Sequence, residues 1–210
     1  MGPVTPDGVS AEEAQQQLIE GNWRFMTGIP MGPNRSPQRL RELVRGQHPF
    51  AAVLGCSDSR VPPELIFDAG LGDLFVVRCA GNLPDASALG SLEYAATNLQ
   101  VRLAVVLGHT GCGLVGAAVQ GSRPGGQLER LLDAMRPAVE ASRADPGEGY
   151  LNIITANVRQ AVRTITRTPG VLEEKAFTGE LAVAGAVYHI DTGEVVFLPD
   201  DDGEAPEELP

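Results

Sequence analysis

Apolar residues in this chain fall into two patterns. In some stretches they form short unbroken runs; in others they recur every three to four positions. Residues 50–55, 74–78, 101–107 and 181–190 are runs of the first kind. Such runs, punctuated by Gly, predict strands buried within a sheet. A fifth strand, over 194–198, follows Asp191-Thr192-Gly193, a hairpin-turn sequence. The helical pattern opens at 11–26, where Ser10 and Glu13 have capping-box spacing and Ala14, Leu18, Trp23 and Phe25 are the apolar contacts. Further helices are predicted over 38–45, ended by Gly46, and from the Pro62-Pro63 pair to 67. Others span 86–98, 112–120, 127–142 and 151–168. Pro137 is expected to kink or divide the 127–142 segment, and Pro169 to end or bend the last. In that last segment Ile154, Val158, Val162 and Ile165 share one face.

The alternation of helix and strand predicts one α/β domain over 10–198. Its central sheet is mostly parallel, with four parallel strands, an antiparallel edge strand and flanking helices. Residues 10–46 form an N-terminal helical arm, with 28–37 extended because it holds three prolines and two glycines. The helical pair between 126 and 168 is long for one crossover and is expected to pack as a subdomain on one side. Residues 1–9 and the acidic tail 199–210 are expected to be disordered.

Composition narrows the function classes. The 210 residues are 43% hydrophobic and 20% charged, ordinary for a soluble globular protein. The formal net charge of −11 disfavours nucleic acid and anionic membrane as partners. The sequence shows no signal-peptide pattern and no apolar run of about 18 residues, so no transmembrane helix is expected. Three cysteines do not suggest a disulfide framework, and free or metal-bound thiols fit a cytoplasmic setting.

Candidate chemistry concentrates at two strand ends. Cys56-Ser57-Asp58-Ser59-Arg60 follows the first apolar run, and Gly108-His109-Thr110-Gly111-Cys112-Gly113 follows the third. In open α/β sheets ligands bind at such ends. Thiolate and imidazole suit Zn²⁺, and three protein ligands with one open position is the catalytic pattern. His109 and Cys112 form an H-x-x-C pair, while Cys56 lies 53 residues before His109, unlike the close pairs of a zinc finger.

C-x-D-x-R after one strand and G-H-x-x-C-G after a later one resemble the β-class carbonic anhydrase family. Gly46-Gln47-His48-Pro49, Phe75-Val76-Val77-Arg78, Ala80-Gly81-Asn82 and Ser91-Leu92-Glu93-Tyr94-Ala95 extend the resemblance over roughly residues 10–198. It implies reversible hydration of carbon dioxide to bicarbonate and a proton by zinc-bound hydroxide. One Zn²⁺ per chain would be held by Cys56, His109 and Cys112. Asp58 and Arg60 are the expected catalytic pair. A guanidinium fork holds the carboxylate off the metal and leaves room for water, although in some relatives that Asp binds zinc in a closed state. The resemblance further implies that Gln47 donates to the substrate from the partner subunit. Phe75, Ala80 and Tyr94 would form an apolar wall, again partly across a dimer interface, and Gly113 would offer its backbone N–H. Partners are then carbon dioxide or bicarbonate and a second copy of the chain, in a homodimer or homotetramer.

Three features stand apart. Cys79 lies where the family usually has Asn or Thr, and is expected to be a passive buried thiol near the site. His48 and His189 have no sequence-based link to the metal. Two alternatives remain open: hydrolysis of carbonyl sulfide or carbon disulfide on the same scaffold, and a non-catalytic zinc or redox-sensing protein in which Cys79 closes the site.

Overall fold

The computed structural model describes residues 8–142 and 150–199. Both expected disordered ends lie largely outside that range. Five strands, β1 (Ala51–Cys56), β2 (Leu74–Cys79), β3 (Leu103–His109), β4 (Ala182–Tyr188) and β5 (Val195–Phe197), form one sheet in the order β2-β1-β3-β4-β5. The first four run parallel and β5 is antiparallel to β4. Every residue of β1 and β3 is buried, as their unbroken apolar runs require, whereas β2 is a half-exposed edge.

The chain passes from β1 to β2 on one side and then returns to place β3 on the other side of β1. The strand order therefore reverses between the carboxyl ends of β1 and β3, where open α/β sheets leave a crevice. Both strands run further than their apolar runs. β3 continues through Gly108 and His109 because both pair with β4, at Val187 and Tyr188. β1 ends on Cys56, opposite Cys79 of β2. Two of the expected metal ligands are thus strand residues.

The eight helices of the described residues are α1 (Ala11–Met26), α2 (Pro37–Glu42), α3 (Pro63–Ile66), α4 (Ala86–Asn98), α5 (Gly113–Val119), α6 (Gly126–Ala141), α7 (Tyr150–Arg167) and α8 (Val171–Phe177). Pro137 lies inside α6 without dividing it. Helix α8 had no sequence signal: Leu172 is its one buried residue, too little to make a period. Helix α7 buries Ile154, Asn157, Val158, Ala161 and Ile165. It sits close on the sheet because Gly108 and Gly185 carry no side chain. A Cβ at 108 would stand 2.6 Å from Val158 Cγ2, and one at 185 would stand 2.8 Å from Val158 Cγ1.

Helix α1 starts with the expected capping box, Ser10 Oγ accepting from Glu13 N and Glu13 Oε2 accepting from Ser10 N. Its buried face runs through Ala14, Leu18, Gly21 and Asn22. Trp23 points away and is 58% exposed, so it is not the packing residue its bulk suggested. Asn22 bolts the helix down. Its Nδ2 donates to Ile66 O (3.2 Å) and Gly193 O (2.8 Å), and its Oδ1 accepts from Val195 N (2.9 Å). The first part of the following arm is gripped by one buried carboxylate. Asp68, with its side chain fully buried, accepts from Arg24 Nε (2.7 Å) and from the Met31 and Gly32 N–H groups (2.9 Å each).

Replacing Asn22 by Ala leaves buried carbonyls and an N–H without partners, at about 1–3 kcal/mol for each unsatisfied group. Urea unfolding is expected to show a loss of about 2–4 kcal/mol at an unchanged slope. Burial pushes the Asp68 carboxyl up, but Arg24 and the two N–H groups outweigh it and hold it below its usual value. A depressed folded pKa contributes stability above the unfolded value of about 3.9, and that stability fades as pH falls through the folded pKa. Asp68→Asn is therefore expected to be less stable than wild type at neutral pH, with the gap narrowing below about pH 4.

Candidate metal centre

Cys56 ends β1, His109 ends β3, and Cys112 is the residue before α5. All three are buried, and their ligand atoms lie within 4.8 Å of one another. No other His, Cys, Asp or Glu cluster able to hold a metal occurs among the described residues. The imidazole is oriented by its own backbone, with Nδ1 2.9 Å from Thr110 O. That contact puts the proton on Nδ1 and leaves Nε2 with a bare lone pair. Nε2 is buried, and the neighbouring Cys56 thiol is the group that interacts with it. A buried acceptor is costly unless something satisfies it. Two sulfurs and an sp² nitrogen at this spacing fit a tetrahedral zinc ion with one position left open.

Of the two thiols, Cys56 is the one prepared for deprotonation. A hydrogen bond from Cys112, against the cost of burial, pulls the Cys56 thiol well down, helped by His109 and by the Asp58 and Gly81 N–H groups. Cys112 is pushed up correspondingly by the neighbouring Cys56 and by burial, while the Leu114 and Val115 N–H groups at the start of α5 act in the other direction. Gly81 N stands 3.3 Å from Cys56 Sγ.

Asp58 is gripped from one side. Arg60 donates from N and Nε to Oδ1 (2.9 Å each) and from Nη2 to Oδ2 (2.7 Å), and Nη2 also reaches Gly111 O at 3.1 Å. The Arg60 guanidinium holds the carboxyl well below the usual carboxylate range. The contact to Gly111 ties the turn after β1 to the turn after β3. On the other flank Thr110 is fixed by its N–H to Tyr188 O (2.9 Å) and by Oγ1 accepting from Ile190 N (3.0 Å).

Arg78, which carried no assigned role in the sequence, braces the same turn. Its Nε donates to Cys56 O (2.8 Å) and its Nη2 to Asp58 O (2.5 Å). The signal available was a cation at the end of an otherwise apolar strand. Cys79 is not part of the ligand group. Its thiol donates to Leu83 O at 2.9 Å, and burial pushes it up to about 11.

The remaining expected pocket residues divide. Gly113 follows Cys112 directly, and Ala80 is half-buried beside Gly81. Phe75 and Tyr94 meet each other, ring centroids 6.2 Å apart, and Tyr94 is 48% exposed. Phe75 pairs with Ala52 near the amino end of the sheet, and exposed Gln47 precedes β1 at that same end. Five residue steps of β1 put about 17 Å between that end and Cys56. A single chain does not bring Gln47 or Phe75 to the metal ligands.

The family model described as carbonic anhydrase matches residues 51–195. The chain belongs to the β-carbonic anhydrase family. It is 40% identical over 200 residues to carbonic anhydrase 2 of Mycobacterium tuberculosis, covering 93% of this chain and 96% of that protein. It is 37% identical over 186 residues to the carbonic anhydrase of Mycolicibacterium smegmatis, covering 87% and 90%. Among solved structures, a tetrameric β-carbonic anhydrase of Sordaria macrospora superposes with a TM-score of 0.71 at 28% identity, covering 78% of this chain and 87% of that one. The β-carbonic anhydrase CafA of Aspergillus fumigatus gives 0.70 at 31% identity, covering 80% and 83%. β-Carbonic anhydrases are zinc lyases, and the Cys56–His109–Cys112 group fits that metal.

Removing a ligand is expected to remove the metal. Cys56→Ser or His109→Ala should drop zinc well below one per chain, read by atomic absorption on gel-filtered protein. Cys79→Ser should retain a full complement, since its thiol is committed to Leu83 O.

Proposed function

We propose that this chain catalyses the reversible hydration of carbon dioxide to bicarbonate and a proton, with Cys56, His109 and Cys112 holding one Zn²⁺. The main support is the buried group of two thiol sulfurs and one imidazole, whose ligand atoms lie within 4.8 Å of one another, beside a carboxylate held by Arg60. Bound there, zinc supplies a Lewis acid that brings the pKa of a water molecule to about 7.

The chain's own groups do the rest. Arg60 keeps both carboxylate oxygens of Asp58 occupied, so the carboxylate does not compete for the open position. Asp58 would then be free to accept a hydrogen bond from the attacking water or hydroxide and to orient it toward carbon dioxide. Gly113 offers its N–H on the far side of Cys112. Gln47, Phe75 and Tyr94 complete the pocket from a second copy of the chain, with Ala80 on the near wall. Their distance from the ligands within one chain supports this arrangement. So do the exposed apolar side chains of the arm and its neighbours, Trp23, Ile29, Met31, Leu40 and Val44. A homodimer is the smallest assembly that satisfies both, and a homotetramer built from dimers also would. Among the described residues no helix is long and apolar enough to cross a membrane. Three free thiols support a cytoplasmic setting.

Stopped-flow hydration on zinc-quantified protein, from about pH 6.5 to 9 around the zinc-water pKa, should show activity rising with pH. Inactivity throughout that range with one zinc per chain would overturn the proposal, and turnover of carbonyl sulfide or carbon disulfide instead would name the substrate. Arg60→Ala frees Asp58 to enter the coordination sphere. It should keep its zinc yet lose activity by about 10–100-fold at neutral pH.

A further inference from the structure

Asn157 is a buried amide on the apolar face of α7, between Ile154 and Val158 on one side and Ala161 on the other. Placing an amide there is unfavourable unless it has a partner. Its Nδ2 donates to Gly81 O at 3.0 Å, and Gly81 N in turn stands 3.3 Å from Cys56 Sγ. We propose that Asn157 is a positioning residue for the metal centre, which acts by aiming the Gly81 N–H at the Cys56 sulfur. The proposal rests on the assignment of Cys56 as a zinc ligand.

The two thiolates acquire their N–H donors differently. Cys112 precedes α5 and takes the Leu114 and Val115 N–H groups from the helix start. Cys56 ends a strand and has no helix behind it. Its donors, the N–H groups of Asp58 and Gly81, come from two turns. The Asp58 turn is braced by Arg60 and Arg78. The Gly81 turn has a backbone at φ 71°, open to glycine and unfavourable to other residues. A Cβ at that position would stand 2.6 Å from Leu114 Cδ2 and 3.0 Å from Met135 Cε. Packing therefore limits where Gly81 lies, and the Asn157 bond holds the carbonyl end of the residue whose N–H faces Cys56 Sγ.

This geometry matters because two thiolates cancel the charge of a zinc ion and weaken it as a Lewis acid. An N–H donated to a ligating sulfur draws electron density from it and restores part of that acidity. Since α7 is seated on Gly108 and Gly185, Asn157 is in register with β3, the strand that carries His109. One helix thus reads its position from the imidazole's strand and passes it to the thiolate of the neighbouring strand.

Asn157→Leu keeps the shape of the side chain and removes the donor. In the cobalt-substituted holoenzyme the thiolate-to-metal charge-transfer band should move to longer wavelength, because the sulfur is more electron-rich. The Kd for zinc should rise about 10-fold or more. A variant that loses stability but keeps the wild-type band and zinc Kd would overturn the proposal and leave the ligand assignment standing. Absence of the band in cobalt-loaded wild type would overturn both. Wild type gives a second reading that does not depend on the variant folding. With NMR-active cadmium at the site, the Gly81 amide proton should couple to the metal through the N–H···S bond. The Asn157 side-chain amide should likewise couple to the Gly81 carbonyl carbon. Lack of either coupling in resolved spectra would also overturn the proposal.

Discussion

The parallel pairing of β1 with β3 is the contact on which the metal centre depends. Cys56 lies 53 residues before His109, and the register from Ala52↔Ala104 to Gly55↔Leu107 brings their strand ends together. Nothing local replaces that register: a one-residue slip turns every side chain of a strand to the opposite face. The complete burial of both strands fixes it, because a slipped strand would present its residues to the wrong helical layer. The same apolar runs that form the core thereby also place the chemistry.

Around the ligands, the protein handles charge with backbone and cation donors. The site gathers two buried sulfurs and a buried imidazole beside a partly exposed carboxylate, and the sulfurs and the carboxylate repel one another once deprotonated. Arg60 neutralises the carboxylate through a two-pronged bond, and backbone N–H groups from three separate turns point at the sulfurs. None of these donors needs to move when a cation arrives. That preorganisation separates a metal site from a mere cluster of thiols.

Much of this was legible in the sequence, for identifiable reasons. Unbroken apolar runs marked the four parallel strands, and Asp191-Thr192-Gly193 marked the hairpin, because burial on two faces and tight turning each restrict residue choice. The ligand motifs were legible because zinc accepts few side chains. What escaped depended on partners remote in sequence. The last residues of β3 are polar or small, yet remain strand because β4 continues beside them. Trp23 faces outward because Gly21 and Asn22, not bulk, define the buried side of α1. Asn157 carried no signal in the sequence, and its use appears only once Gly81 is beside it. Gln47 and Phe75 carry motif signals that one chain alone cannot explain.

The arm shows a further economy. Asp68 holds it largely through the main-chain N–H groups of Met31 and Gly32, and the Met31 side chain is itself exposed. Helix α2 within the arm buries no residue at all. A clasp that grips peptide groups is indifferent to much of the lettering it holds. Substitutions can accumulate along the outward face of the arm, reshaping whatever surface it offers, while its path across the domain stays where Asp68, Asp73 and main-chain bonds hold it.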